Sequence, residues 1–283
     1  MFFKTIVERR MGQRLTGVTA LGGGDINQVY KLSFPDSQCV LKLNSRDRFP
    51  GMFEKEARGL ELIGSTGCRV PGVVRDFTEG DHQFLILEYI EEHATNTEYW
   101  ERFGRRLAAM HSHTSEAFGL DHDNFIGSLH QGNDRRDNWV EFFIDCRIRP
   151  LVEAARARGL LSDAQVSGFE RLFLRLPGLI PEERPSLLHG DLWSGNLMCG
   201  PGSEPVFIDP AVYFGHREVD LAMTRMFGGF DRRYLESYSE AMPLEPGLEE
   251  RLEIHNLYPT LVHLVLFGPS YLRGIEATLK TFS

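Results

Sequence analysis

The stretch from Leu187 to Pro210, LLHGDLWSGNLMCGPGSEPVFIDP, constrains this chain more than any other segment. It places His189, Asp191 and Asn196 close together and then, past a turn rich in Gly and Pro, sets Asp209 at the end of an apolar run. LLHGDL and VFID read as two short apolar strands flanking a loop. Taken singly the pieces are ordinary, since D-x-x-x-x-N recurs by chance and Asp-Pro after a strand is a common turn. In this order they suit phosphoryl transfer. One carboxylate receives the proton of an attacking hydroxyl, while an amide oxygen and a second carboxylate hold the Mg²⁺ that neutralises the phosphates.

The N-terminal third supplies what such a loop needs opposite it. Thr16 to Leu21 reads as a strand, Gly22, Gly23 and Gly24 open a loop, and Gln28 to Phe34 and Gln38 to Leu43 form a strand pair around the Pro35-Asp36 turn. Glycines there let backbone N–H groups approach a phosphate, or simply make a flexible hairpin. Lys42 decides between the two, because it is one of only five lysines and sits inside the apolar strand VLKL, where a charge is costly unless paired. Met52 to Ser65 reads as an amphipathic helix with Phe53, Ala57, Leu60 and Gly64 along one face. Glu56 on that helix is the candidate partner for Lys42, ahead of Glu54 and Glu61 on more exposed faces. Val70 to Val74 and Phe84 to Leu87 read as the last two strands of a five-stranded antiparallel sheet. Glu88, Tyr89 and Ile90 then lead into a polar connector.

The rest is mainly helical. Asn96 or Thr97 caps a helix to about Ser112, with Trp100, Phe103, Leu107, Met110 and His111 on its buried face. Further helices begin near Trp139, span Ser162 to Leu176 before Pro177-Gly178, run from Arg217 to Phe227 and from Asp231 to Ala241, and fill Leu248 to Phe282 with breaks near Pro259 and Pro269. Asp220 is an acid in an apolar helix, suited to accept backbone N–H bonds from the catalytic loop. His113, His122 and His130 lack a compact ligand spacing and read as surface residues.

Composition narrows the partners. The net charge of -9, with Arg residues mixed among Glu and Asp as on a solvated surface, argues against a nucleic-acid binder. Cys39, Cys68, Cys146 and Cys199 form no C-x-x-C pair, so neither a zinc cluster nor a disulfide framework is expected. A cytoplasmic location follows as an expectation from this and from the absence of a signal-like apolar core in MFFKTIVERRMGQRL. The longest apolar stretch, Leu261 to Phe267, is too short to cross a membrane.

The spacing H-x-D-L-x-x-x-N followed by an Asp at a strand end matches the catalytic and metal loops of kinases, with Gly190 in place of Arg and Asp-Pro-Ala in place of D-F-G. HGDLWSGN and FIDPAVYFGHREVDLAM, with GGGDINQVY, VLKL, FEKEARGLELI and DNFIGSLHQGNDRRDNWVEFFIDCRIRPL, resemble the fructosamine (ketosamine) kinase family of the aminoglycoside-phosphotransferase branch. That resemblance implies an α+β, bilobal, protein-kinase-like fold. Residues 1-90 would form a small antiparallel β lobe with one helix, and residues 91-283 a larger, mainly helical lobe. It implies ATP-dependent phosphorylation, with Mg²⁺, of the third sugar carbon's hydroxyl on a ketosamine, free or on a glycated protein lysine. Asp191 would be the base, Asn196 and Asp209 the Mg²⁺ ligands, Lys42 with Glu56 the phosphate anchor, the glycine loop the phosphate cover, and Glu88 to Ile90 the nucleotide hinge. Several relatives carry a loop cysteine that links two subunits; here Asp25 stands at that place, so a monomer is expected.

Asp191 needs no raised pKa, because a carboxylate of ordinary strength can accept the proton late in the reaction. Trp193, two residues on, either stacks the sugar or its amine substituent or packs the loop. Rival readings are a kinase for an aminoglycoside, choline or homoserine, and a silent nucleotide-binding module. A glycosidase using Asp191 and Asp209 leaves the glycine loop and Lys42 unexplained.

Overall fold

The computed structural model describes residues 1–22 and 26–283; Gly23, Gly24 and Asp25 lie outside the described residues. Its N-terminal part is built on β3 (Gln38–Ser45), which pairs antiparallel with β2 (Gln28–Ser33) on one side and β5 (His82–Glu88) on the other. β1 (Gly17–Leu21) and β4 (Val73–Glu79) complete the sheet in the order β1-β2-β3-β5-β4 among the described residues. The register puts Lys42 opposite Val29 and Leu85, so the ammonium rises from the middle of the sheet. Helix α1 (Phe3–Met11) buries Phe3 and Val7 with Leu32, Leu41 and Phe84.

Helix α2 (Met52–Ser65) buries Phe53, Ala57 and Leu60 in one cluster with Leu85 and Leu87, while Ile63, on the same face, joins the cluster of Tyr99, Phe103 and Phe207. Ile63, not Gly64, ends that face. On its far side α2 leans on the chain after the catalytic stretch. A Cβ on Gly59 would sit only 3.3 Å from Val212 and 3.4 Å from Pro210, so this helix approaches that segment more closely than a larger residue would permit.

The fourth strand differs from the sequence expectation. Pro71 has no N–H to offer a ladder, and pairing starts at Val73 and runs on to Glu79. β4 lies at the sheet edge with much of its surface exposed, which is why its polar second half carries little strand signal.

Beyond β5, α3 (Thr97–His111) is capped by the Asn96 side chain, which accepts from the Tyr99 N–H. Tyr99 is buried on it, whereas Trp100 is only half-buried, its ring edge-on to Tyr99. A hairpin of β6 (Asn124–Ile126) and β7 (Leu129–Gln131) follows, then α4 (Trp139–Phe142), a π-helical turn (Phe143–Ile148) and α5 (Arg149–Ala157) where one continuous helix is expected. α6 (Asp163–Leu179), opened by a Ser162–Gln165 capping box, passes through Pro177 because in a last turn proline removes only one intrahelical bond.

The chain from Ser186 to Gly215 forms β8 (Ser186–Leu188), β9 (Leu197–Gly200), β10 (Glu204–Phe207) and β11 (Tyr213–Gly215). β9 and β10 make one hairpin, and β11 pairs with β8. The first strand is shorter than LLHGDL suggests, since the backbone turns at Gly190. Helices α7 (Glu218–Met226), α8 (Arg233–Ala241), α9 (Leu248–His255), α10 (Leu257–Phe267) and α11 (Leu272–Phe282) end the chain. The break between α9 and α10 falls at Asn256. Pro259 sits in the first turn of α10, where N–H groups have no intrahelical partner to lose. A sheet with α1 and α2 packed on it, where one helix is expected, followed by a mainly helical part, gives an α+β architecture.

One surface expectation is corrected. Arg147, Arg217 and Arg251 are buried.

Candidate active site

β8 delivers the loop. Just past its end, the N–H groups of His189 and Gly190 both donate to the Asp220 carboxylate, at 2.7 and 3.0 Å, tying the loop to α7. His111 closes the other side of Asp220 at 3.2 Å and meets the Tyr238 hydroxyl at 2.8 Å, a satisfied core histidine as its helix position suggests. The His189 ring donates from Nε2 to the Ile208 carbonyl and accepts the Asp191 N–H at Nδ1. Burial lowers its pKa, so it is a neutral strut between loop and hairpin.

Gly190 adopts φ +81°, and a Cβ there would lie 2.1 Å from the Ala211 carbonyl oxygen. Left-handed backbone and backbone contact together exclude a side chain. We therefore expect Gly190→Ala to destabilise the fold by more than about 2 kcal/mol. Urea unfolding checks this, and an unchanged midpoint would contradict it.

The β9–β10 hairpin aligns the remaining polar groups. Its register continues as Ile208 N–H donating to the Asn196 carbonyl at 3.1 Å, which sets Asn196 beside the chain leading to Asp209. The Asn196 amide nitrogen donates to the Asp191 carbonyl and to Asp191 Oδ2, each at 2.8 Å. That orientation leaves Asn196 Oδ1 as an oxygen donor for a cation. Asp209 holds the uncommon φ of +53°.

From the sheet, Lys42 Nζ reaches Glu56 Oε1 at 2.6 Å and Asp209 Oδ1 at 3.1 Å. Burial alone would lower the lysine pKa, but the charges of Asp209 and Glu56 overcome it and hold the group as an ammonium ion. Burial pushes Asp191 up to about 7, against the Asn196 hydrogen bond and with help from Asp209 and Asp220. The expectation of an ordinary carboxylate pKa is thus replaced by a raised one in the unliganded protein.

Lys42, Glu56, Asp191, Trp193, Asn196 and Asp209 all line one cavity of about 490 Å³. Glu88, Tyr89 and Ile90 do not line it; they border a separate cavity of about 560 Å³. The Glu88 side chain there is engaged by Arg69 and the Gly72 N–H. Gly22 is described with open space around it, while Gly23 and Gly24 fall outside the described residues.

Trp193 packs the loop and also borders the cavity. Its ring packs over Gly195, where a Cβ would come within 2.2 Å of it, yet 38% of the residue is exposed at the cavity. Phe227 stands edge-on to it at 6.2 Å between ring centroids. His263, Phe267 and Tyr271 extend this aromatic wall, with His263 centroids 5.5 and 5.0 Å from the latter two. Sequence reading missed this wall. Its only signal is the four-residue spacing of His263, Phe267 and Tyr271, which resembles an ordinary core stripe.

A second group of titratable side chains, His216, Glu218 and His255, is buried away from the cavity. Arg251 binds the Glu218 carboxylate, His255 adds a contact at 3.2 Å, and the His216 nitrogens meet the Pro181 carbonyl and the Glu218 N–H. Its lone pairs are largely used internally, as in a structural ion-pair network.

Comparisons with known proteins agree with this geometry. A family model described as fructosamine kinase matches residues 3–282. A Synechocystis chain assigned as a ketoamine kinase is 38% identical over 92% of this chain and 88% of its own. A chloroplastic protein-ribulosamine 3-kinase of Oryza sativa is 35% identical, over 91% of this chain and 76% of its own. A solved structure from Thermobifida fusca assigned as a fructosamine-3-kinase superposes with a TM-score of 0.88 at 34% identity, covering 98% of this chain and 96% of that one. An aminoglycoside phosphotransferase solved with ADP and hygromycin B shares the fold, with a TM-score of 0.69 at 13% identity over 99% of both chains.

Proposed function

From the chain's membership of the fructosamine kinase family, we propose that the cavity between Lys42 and Asp191 transfers the γ-phosphoryl group of ATP to the third-carbon hydroxyl of a ketosamine. The enzyme is an ATP-dependent phosphotransferase acting on a sugar-amine hydroxyl. The observation that carries the site assignment is Lys42, held between Glu56 at 2.6 Å and Asp209 at 3.1 Å on a cavity whose opposite wall is Asp191 and Asn196. A glycosidase has no use for that ammonium group.

In this reading the sugar hydroxyl oxygen forms a bond to the γ-phosphorus as the bond to the β-phosphate oxygen breaks, and the hydroxyl proton passes to Asp191. Lys42, oriented by Glu56, holds the phosphates. Asp209 and the free Asn196 Oδ1 are hard oxygen donors of the kind Mg²⁺ prefers. When bound, Mg²⁺ would neutralise phosphate charge. We assign the adenine edge to the backbone of Glu88–Ile90, as in the kinase hinge. The Glu88 carboxylate is already committed to Arg69.

The aromatic wall of Trp193, Phe227, His263 and Phe267 offers flat apolar faces for the sugar C–H groups and the amine substituent. Replacing Trp193 by Ala is expected to raise KM for a ketosamine roughly tenfold and KM for ATP by less than about twofold, the range of one aromatic contact. Steady-state kinetics with each substrate varied in turn checks it; an unchanged ketosamine KM contradicts it. The functional reading is tested by mass spectrometry of fructosyl- and ribosyl-amines, with a glycated peptide and an aminoglycoside beside them. Gain of one phosphate on the aminoglycoside alone would overturn it.

A further inference from the structure

The hairpin of β6 and β7 belongs to the sequence block DNFIGSLHQGNDRRDNWVEFF; its residues Asn124 to Gly127 border the cavity, and the chemistry above gives them no role. Behind it lies Arg147, on the π-helical turn, with no exposed surface and no carboxylate partner among the described residues. Its guanidinium stacks on Tyr213 at 3.9 Å and donates to the Gly132 carbonyl at 2.6 Å and to Asn133 Oδ1 at 2.7 Å. A buried cation without a counter-ion is costly, and here Nη1 and Nη2 meet carbonyl and amide oxygens while Nε has no partner among the described residues.

A directed relay starts there. Asn133 Nδ2 donates to Asn124 Oδ1 at 3.0 Å, and Gln131 Nε2 donates to the same oxygen at 2.7 Å. Tyr258 in turn donates to Gln131 Oε1. The chain of amides ends on two backbone carbonyls: Asn124 Nδ2 on Val212 at 2.8 Å and Gln131 Nε2 on Ala211 at 3.1 Å. Guanidinium groups only donate, so the branch Arg147–Asn133–Asn124–Val212 runs in one sense, while Gln131, oriented by Tyr258, donates into the same Asn124 oxygen from the side. Its two receivers are consequential. The Ala211 N–H donates to the His189 carbonyl at 2.9 Å, the Ala211 carbonyl abuts Gly190, and Asp209 lies two residues upstream at its left-handed φ.

We propose that Arg147, acting through Asn133 and Asn124, forms with Gln131 a positioning network that fixes Asp209 relative to Gly190 and Asp191. Arg147, Asn133 and Gln131 lie outside the cavity lining, and Asn124 borders it. By pinning the Ala211 and Val212 carbonyls from behind, they set the spacing between the base and the proposed metal-side carboxylate. Such spacing governs in-line transfer more than binding does. This assignment rests on the proposed function for its kinetic consequence, and on geometry alone for its structural one.

Asn133→Asp separates positioning from stability. It gives Arg147 a carboxylate partner while removing the donor to Asn124 and facing that oxygen with another. The expected result is a preserved melting temperature, kcat lower by about tenfold or more, and KM for ATP within about twofold. Hydrogen exchange on the unliganded protein should quicken by about three- to tenfold at residues 189–193 and 207–213, because, of the two hydrogen bonds that Asn133 Nδ2 donates, to Asn124 Oδ1 and to the His122 carbonyl, the first leads to that segment. Gln131→Met, which removes the donor to Ala211 without adding charge, should do the same and covers the case in which the first variant folds poorly. Faster exchange confined to residues 122–133, with kcat per folded enzyme retained, would overturn the proposal. A wild type that phosphorylates no ketosamine would refute the functional reading while the exchange result still decided the network.

Discussion

Asp191→Asn is expected to lower kcat by about 10²- to 10⁴-fold, the range for loss of a positioned general base, with little change in the Kd of ATP. The substitution keeps the Asn196 contacts in shape, because an asparagine side chain still offers an oxygen to the amide that now meets Asp191 Oδ2 at 2.8 Å. What it removes is the acceptor for the hydroxyl proton. A kcat within about threefold of wild type would mean that proton leaves by another route and that Asp191 is not the base.

The same substitution should raise stability in a pH-dependent way. Burial first, with Asp209 and Asp220 behind it, raises the folded-state pKa of Asp191 to about 7. An unfolded Asp ionises near 3.9, so between about pH 4 and 7 the folded protein binds the extra proton and wild-type stability falls as pH rises. Asn carries no such penalty. Its advantage in melting temperature should be absent near pH 3.5, grow to about pH 7 and stay constant above. For the wild type, kcat/KM for the acceptor should rise with pH to a plateau above about 7, because only the ionised carboxylate accepts a proton. A rate profile flat from pH 5 to 9 would contradict that assignment.

How much of this was readable beforehand depended on whether local pattern or long-range packing decided the outcome. Helix α2 lies where its periodic apolar residues place it, Met52–Ser65, because one buried face governs both its existence and its ends. Lys42, Glu56, Asp191, Asn196 and Asp209 converge on one cavity, as two short motifs and a lone strand lysine suggested. By contrast, Phe227, His263 and Phe267 come from α10 and the segment after α7, and an aromatic residue facing a cavity has the same sequence signature as one facing a core. Arg147 was read as surface for a related reason. Composition cannot say that aromatic faces and backbone carbonyls will receive a guanidinium. β4 starts after Pro71, which has no N–H to pair, and its second half is hard to read because an exposed edge strand need not alternate.

Lys42→Met tests the other side of the cavity, and its two effects can be pulled apart. Losing the ammonium should cut kcat/KM for ATP by about 10²- to 10³-fold, as when one preorganised donor to a developing charge is removed. It also strands Glu56, whose side chain is 10% exposed, with Asp209 as a like-charged neighbour. Breaking a buried pair from one side costs about 3–5 kcal/mol, because the remaining group is left uncompensated. Adding Glu56→Gln removes that stranded charge. The double variant should therefore recover much of the melting temperature of the wild type while staying as inactive as Lys42→Met. Glu56→Gln alone should keep more activity than Lys42→Met, since it loosens the ammonium group without deleting it. Recovery of activity along with stability in the double variant would show that Lys42 only braces the fold. It would also remove Lys42 as the phosphate anchor of the proposed mechanism and leave Lys55, which lines the same cavity, as the cation to replace next.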